Sequence, residues 1–430
     1  MNSQRPNWQR LPIDAICSRI TSGGTPLRSI RKFYDGGSIR WVKTGELKDW
    51  YIEDTEEKIT EEAIRESSAK LLPSNTILMA MYGDGRTITS LGILRHECAS
   101  NQASCAMIAN PNLCSPLFLF YSLKAHRHAL LKLAYGGAQR NLNTKTIRQF
   151  EIEVPPTQTQ DRIASILSAY DDLIENNTRR IKVLEDMAQM IYREWFVNFR
   201  FPGHENIRMV ESELGPIPEC FTAEPLEAVC QRITDGSHWS PKTTEEGLPM
   251  ASVKDMHSWG LNLATCRKVS HEDFANLIRN DCKPLQGDVL IAKDGSYLKH
   301  CFWMQKPLEV VILSSIAILR PSSRITPPYL SLHLLDPQIK SRMAGYVSGV
   351  AIPRIVLKDF RKFTILVPSV TLQSAFSAIV EPMMQLCWSL TDLNALLRTT
   401  RDFLLPKLIS GEVPVEAADE TVAELVEQLA

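Results

Sequence analysis

The chain has 430 residues, with 48 Lys and Arg against 49 Asp and Glu and a formal net charge of −1. That is enough chain for two or three hydrophobic cores, and its longest uncharged runs, such as VVILSSIAIL from Val310, fall short of the roughly 20 apolar residues of a membrane helix. Ten cysteines without a CxxC pair argue against zinc ribbons and fit scattered thiols in a reducing compartment; the polar start MNSQRPNWQR shows no secretory signal, so the expected location is the cytoplasm, with no membrane partner.

The first segment opens on IDAICSRITSGGTP from Ile13. Short β-like runs follow at Ile77 to Met81 and Ile152 to Val154, set between Gly-rich turns. CSPLFLFYSLKAHRHALLKLA, from Cys114, reads as an amphipathic helix entered through a Pro in its first turn. After Pro155 a long apolar seam begins: Ile163, Ile166, Tyr170, Leu173, Asn177, Ile181, Leu184, Ala188, Ile191 and Trp195. Steps of three and four alternate along it, the period at which helices wrap as a coiled coil.

Then the pattern restarts. LEAVCQRITDGSHWSP from Leu226 sets Cys230 on Cys17 and Gly236 on Gly23, a spacing of 213. β-like runs recur at Val289 to Ala292, Val310 to Leu313 and Thr364 to Val367, and TPPYLSLHLLDPQIKSRMA from Thr326 repeats the helix, with Pro328 set on Pro116. VPSVTLQ repeats VPPTQTQ, with Gln373 on Gln160. A second seam follows through Leu372, Phe376, Ile379, Met383, Leu386, Leu390, Leu393, Leu397 and Leu404, broken at Thr400 and with Asn394 one position off it. One unit of about 213 residues is written twice. We expect an α+β fold: two similar mixed α/β domains joined and spaced by two long helices that form an antiparallel coiled coil, with Asn177 and Asn394 fixing the register. The expected bounds are 1–155, a helix over 156–203, 204–368, a second helix over 369–412, and an acidic tail over 413–430.

Charge is segregated rather than absent. Residues 124–150 carry six Lys and Arg and no acid, residues 339–362 carry six against one acid, and the last twenty residues carry six acids and no base. Two similar units, each with a basic segment, suit duplex DNA, where Lys and Arg displace counterions and polar groups on rigid loops read base edges. The units diverge where loops would touch bases: GGTPLRS against GSHWSPKT, MYGDGRT against AKDGSYLK, and AQRNLN against AIPRIV. Neutral drift would also diversify loops, but a shared framework with different loops points to two different half-sequences. The expected DNA-contacting residues are Arg28, Lys43, Arg86, Arg140, Asn141 and Lys145 in the first unit, and Trp239, Lys242, Lys293, Lys299, Arg354 and Lys358 in the second. Of these, Arg140, Lys145, Arg354 and Lys358 are expected to face phosphates, and Arg28, Arg86, Trp239 and Lys293 to set half-site preference.

YREWFVNFRFPGHE and ESELGPIPE at the end of the first helix, LLPKLISGEV at the end of the second, and the VPP…Q and VPS…Q helix entries together resemble the specificity subunits of type I restriction-modification systems, over Trp8 to about Pro414. The chain departs from that pattern at Cys220 and Phe221 and in its acidic tail. The resemblance implies a non-catalytic chain with two target recognition domains, each reading half of an asymmetric bipartite site, and helices that space them and dock two modification subunits. It places S-adenosylmethionine, adenine methylation, ATP, Mg and cleavage on the modification and restriction partners, with no cofactor on this chain.

The rival reading is a self-contained adenine methyltransferase or nuclease. TPPY at Thr326 to Tyr329 is similar to a base-holding loop, yet the first copy has CSPLFLF at the start of the same helix, so Thr326 reads as a cap and Tyr329 as packing. GDVLIAKDG brings Asp288 near Lys293, but Ala292 stands where a metal-dependent nuclease needs a second acid, and no Walker loop is present. His126 and His128 make no metal pattern. A bare protein scaffold would explain the helices but not the paired basic segments.

Overall fold

A computed structural model describes residues 8–83, 87–134, 140–295, 298–348 and 354–415. The chain forms two compact units whose boundaries fall after Glu175 and after Asn394, so each long helix is divided between them. No helix among the described residues is long and apolar enough to cross a membrane.

In the first unit a five-stranded sheet runs in the order Cys17–Ser22, Ser104–Ala109, Ile77–Ala80, Leu91–Leu94, Trp50–Ile52, antiparallel except for its last pair. Ile77–Ala80 and Leu91–Leu94 are buried at every position, so they lack the alternation of a half-exposed strand. The helix Pro116–Ala125 contacts three strands of this sheet. A small sheet of Lys58–Ile59, Ile39–Val42 and Ala99–Ser100 carries its own core around Phe33 and Trp41. Gln9–Pro12 pairs with Glu151–Val154, the strand that leads into the long helix.

The second unit repeats this order. Its main sheet is Cys230–Asp235, Ile316–Pro321, Val289–Ala292, Cys301–Trp303, its small sheet is Arg267–Val269, Leu248–Ala251, Val311–Ile312, and Phe221–Pro225 pairs with Thr364–Pro368. The parallel pair Ile39–Val42 with Ala99–Ser100 recurs as Leu248–Ala251 with Val311–Ile312. One edge differs. The first unit closes its main sheet with Trp50–Ile52, whereas the second has a hairpin of Met256–His257 and Gly260–Leu261.

The two single helices expected from Cys114 and Thr326 are interrupted and more deeply buried than the sequence suggests. Each breaks in two, as Pro116–Ala125 with Arg127–Leu133 and as Pro327–Leu335 with Pro337–Ala344. Phe118 to Leu123 are buried without interruption, and so are Pro328 to Leu334; neither first helix is amphipathic because apolar neighbours surround it. The caps also correct one alignment: Ser115 precedes Pro116 as Thr326 precedes Pro327, so Pro327, not Pro328, matches Pro116.

The long helices are Thr157–Phe196 and Val370–Ile409. Within the second unit, Asn177 meets Asn394, Ile181 meets Cys387 and Trp195 meets Phe376, so the two run antiparallel. Asn177 Nδ2 donates to Asn394 Oδ1 at 3.0 Å in a buried pair, and Asn394 lies on the seam rather than beside it. The second seam is in fact offset by one residue for part of its length. Met384, Cys387, Asn394 and Leu405 are buried, while Ile379 and Leu386 are exposed. Val380 and Met384 each follow the last buried seam residue by four positions, a drift that the equal spacing of leucines in the sequence conceals. The break at Thr400 is filled at the next position by buried Arg401, which pairs with Asp171 in the first unit.

Candidate nucleic-acid interface

Four devices recur in both units and fix the frame on which any binding surface is mounted. Gln160, fully buried, accepts from Ser115 N at 2.9 Å and donates to Leu113 O and Pro155 O at 3.0 and 2.8 Å. Gln373 accepts from Thr326 N at 2.8 Å and donates to Arg324 O and Pro368 O at 3.0 and 2.8 Å. Each glutamine ties the first turn of a long helix to the cap of the buried helix and to the strand end. Arg148 donates to Ile20 O, and its counterpart Arg361 donates to Ile233 O at 3.0 Å. Trp50 Nε1 donates to Glu175 at 3.1 Å and Trp259 Nε1 to Glu185 at 2.6 Å, so an indole from each unit holds a carboxylate of the same long helix. Gly23 and Gly236 admit no side chain, since a Cβ would lie 2.2 Å from Asn101 O or 2.1 Å from Ile312 O.

Beyond the frame, the same backbone carries different side chains. Ala80 pairs with Ser104 and Ala292 with Ile316, which makes Met81 and Lys293 equivalent. The next residues agree: Leu142 N donates to Met81 O at 2.8 Å, Ile355 N to Lys293 O at 3.1 Å, and the pairs Tyr82 with Asn141 and Asp294 with Arg354 correspond. Ser22, opposite Cys105, matches Asp235, opposite Ala317. The first unit thus presents Ser22, Met81 and Tyr82 where the second presents Asp235, Lys293 and Asp294. This trio was not among the expected contacts, Lys293 apart; laying the two copies side by side at these strands is the sequence signal for it.

The expected contact residues fall into three groups. Lys145, Lys242, Lys299, Arg354 and Lys358 are exposed, Lys145 and Lys358 on the short helices Thr144–Gln149 and Leu357–Lys362. Trp239 is 56 % exposed on a loop whose backbone Ser237 fixes, its hydroxyl accepting from Trp239 N at 3.1 Å and donating to Trp239 O at 2.7 Å. Asn141 is partly buried, Arg140 begins its strand, and Arg86 lies outside the described residues. Two cations are engaged within the protein. Arg28 pairs with Glu57 and stacks over Tyr34 and Trp41 at 4.7 and 5.2 Å, and Lys43 Nζ donates to Glu56 at 2.7 Å and Glu57 at 3.1 Å. Lys293 requires correction as a direct contact. It is only 5 % exposed, with its ammonium 3.3 Å from Asp235 and 3.2 Å from Asp294. Lys299 lines a cavity of about 290 Å³ together with Glu185 and Trp259.

The basic segments are not uniformly outward either. Lys124 is largely buried 3.7 Å from Asp171, Arg127 Nη1 binds Asp49 at 2.8 Å, Arg148 pairs with Asp14, and Arg342 gives a hydrogen bond of 2.8 Å to Thr364 O while stacking on Phe363. These cations are engaged by carbonyls and carboxylates of the protein itself, so the surface charge of each run is smaller than its composition.

The residues of the rival enzyme reading have structural partners. Tyr329 is fully buried and donates to Leu366 O at 2.7 Å, and Asp288 is clamped by Arg320 through two bonds of 2.8 Å. No cluster of three or more His, Cys, Asp or Glu able to hold a metal occurs among the described residues. His126 Nδ1 lies 2.8 Å from Ser122 O, and His128 is exposed. The aromatic motif YREWFVNFRF is packing: Phe196 stands 4.7 Å from Tyr329 and 4.9 Å from Phe376, and Phe199, at φ 55°, turns the chain onto Phe221.

One α/β frame is thus built twice, with shared locks and different side chains mounted on it. Residues 6–186 match the family described as the type I restriction modification DNA specificity domain. The chain is 25 % identical over 422 residues to the type I restriction enzyme MjaIX specificity subunit of Methanocaldococcus jannaschii, covering 95 % of this chain and 94 % of that one. It is 27 % identical over 191 residues, 43 % of this chain and 46 % of the relative, to the EcoR124I/EcoR124II specificity subunit of Escherichia coli. A solved S subunit of a type I restriction-modification system from M. genitalium shares the fold, with a TM-score of 0.61 at 18 % identity over 95 % of this chain and 97 % of that one. Over residues 6–186 the chain is thus similar to the type I restriction modification DNA specificity domain, and over nearly its whole length to specificity subunits of type I restriction enzymes.

Proposed function

We propose that each unit reads one half of an asymmetric, bipartite duplex DNA site and that the paired long helices set the unspecified gap. The observation that carries this reading is the equivalence of Ser22, Met81 and Tyr82 with Asp235, Lys293 and Asp294: one backbone, on a frame locked identically by Gln160 and Gln373, holds two different sets of side chains. Exposed Lys145 and Lys358 supply phosphate contacts at equivalent places, and exposed Trp239 supplies an indole to the second half-site. Buried Asn pairing within the helix seam favours one register, as a ruler requires.

The same helices carry apolar surface beyond what the seam uses. Val183, Met187 and Met190 are exposed on one helix face, as are Ile379 and Leu386 on the other helix. Such stripes fit the docking of two modification subunits, with restriction subunits joining the assembly. In this reading S-adenosylmethionine, ATP and Mg act on those partners, and the assembly works in the cytoplasm. The test is methylation sequencing of a genome in cells carrying this chain with its modification partner. A bipartite motif with two unlike halves and a constant gap is expected; a contiguous motif, or methyl transfer by the purified chain alone, would overturn the proposal.

A further inference from the structure

The trio Asp235, Lys293 and Asp294 is costly and the fold does not require it. A buried ammonium and two carboxylates lose hydration that only good mutual geometry restores. The first unit builds the same strand end, with the same backbone hydrogen bonds, from Ser22, Met81 and Tyr82. What the charged set provides is a carboxylate held in one orientation at a surface. Lys293 Nζ lies 3.2 Å from both oxygens of Asp294 and 3.3 Å from Asp235, and only Asp294 of the three reaches solvent appreciably, its side chain 22 % exposed against 6 and 8 %. The loop that leaves Asp235 bears the exposed Trp239, and the strand beside Asp294 bears the exposed Arg354.

A fixed carboxylate among groups facing DNA is repelled by phosphates and by every acceptor on a base edge. It is satisfied by one kind of group there, the exocyclic amino donor in the major groove. Building on the recognition reading, we propose that Asp294 is a specificity-determining residue of the second unit, accepting a hydrogen bond from the amino group of one base, cytosine N4 or adenine N6, in the second half-sequence. Lys293 is its positioning residue: it touches no base and holds the carboxylate rigid, and Asp235 balances the remaining face of the ammonium. The first unit, with a phenol at Tyr82, makes no such demand at the equivalent position.

The test uses the chain with its modification partner in cells, read by methylation sequencing. Asp294→Asn replaces a pure acceptor with a group that also donates, so one position of the second half-sequence should admit guanine or thymine. Its discrimination for the amino-bearing base should fall about tenfold or more, with the first half-sequence and the gap unchanged. The combined variant Asp235→Ser, Lys293→Met, Asp294→Tyr installs the residues that the same backbone holds in the first unit, and should alter that same position. If whichever of these variants keeps the parent melting temperature writes the parent second half-sequence unaltered, the inference is overturned. If Asp294→Asn instead changes the first half-sequence, or the parent writes no bipartite motif, the recognition reading itself fails.

Discussion

The two units solve one packing problem with opposite chemistry where the globular part meets the long helices. In the first, Asp171 on one long helix binds Arg401 on the other, accepts from Tyr121 Oη at 2.8 Å and lies 3.7 Å from Lys124, all of them buried or nearly so. Burial pushes the Lys124 ammonium below its ordinary range, and Asp171 opposes that shift. In the second, the positions at the 213-residue offset, Met384 and Ala188, are buried and apolar, and the long helices meet the globular part through aromatics: Tyr192 Oη lies 2.8 Å from His333 Nδ1, and Tyr192, Phe196, Tyr329 and Phe376 pack edge to face or tilted around it. Burial holds His333 neutral, its pKa pushed down to about 3. The difference teaches that the duplicated frame constrains backbone and locks, while the chemistry filling each junction is free to diverge.

The largest expected effect tests whether the helices join the two halves as a ruler. Four helix-favouring residues inserted near Asn177 add roughly 6 Å and about 40° of net rotation, close to the twist of about 34° from one base pair and within a few ångströms of its rise of about 3.4 Å. Methylation sequencing should show both half-sequences kept and the gap longer by one base pair. A two-residue insertion swings the downstream part of the chain by about 200° and separates Asn177 from Asn394, so specific methylation should vanish. An unchanged gap in the four-residue variant would exclude the helices as the spacer.

Next comes the charged junction. Asp171→Ala strands Arg401 and Lys124 in a buried layer, which should cost about 3–5 kcal/mol in denaturant unfolding of the first unit. Exchanging the pair together, Asp171→Leu with Arg401→Met, should recover part of that loss, because Arg401 is no longer stranded although Lys124 and the Tyr121 hydroxyl still lose Asp171, and apolar Ala188 and Met384 fill the equivalent layer of the second unit. Equal losses in the single and double variants would show that the ion pair is required rather than merely satisfied.

The aromatic junction responds to pH instead. Unfolded, His333 takes a proton near pH 6.5; folded, it refuses one until about pH 3. Between those values the unfolded chain binds more protons, so stability falls as pH falls, by about 1.4 kcal/mol per pH unit for each such histidine. His257 and His300, in the same unit, are also pushed down by burial. Calorimetry from pH 7.5 to 5 should therefore show the second unit melting progressively earlier, and His333→Phe should flatten that dependence; an unchanged slope would locate the acid sensitivity elsewhere.

The duplication, the mixed fold and the helix seams were legible because they are written in spacing: Gln160 with Gln373 and Asn177 with its partner helix are periodic features. What spacing hides is direction. Leu386 and Leu393 look like seam residues, yet Cys387 and Asn394 occupy the seam, since a drift of one residue changes the face without changing the composition. The site was legible only in part for a related reason. A cation in a basic run looks alike whether it meets a phosphate or an inward carboxylate, and Lys293, Lys124 and Arg148 found carboxylates contributed by residues distant in sequence or, for Asp294, adjacent to it.

The smallest effect separates the surface cations from those inward ones. Lys145 and Lys358 occupy equivalent short helices at an offset of 213, both exposed. A phosphate contact releases counterions, so Lys145→Ala and Lys358→Ala should each weaken binding to specific and nonspecific duplex alike and reduce the slope of log affinity against log salt by about one. The two variants should match, because the frame presents both residues in the same way even though the halves they serve read different bases. Arg148→Ala would change something else: it removes the donor to Ile20 O and the partner of Asp14, so it should lower the melting temperature. Binding titrations at several salt concentrations distinguish these cases, and a salt slope that stays at the parent value for both lysine variants would show that these short helices face away from the duplex.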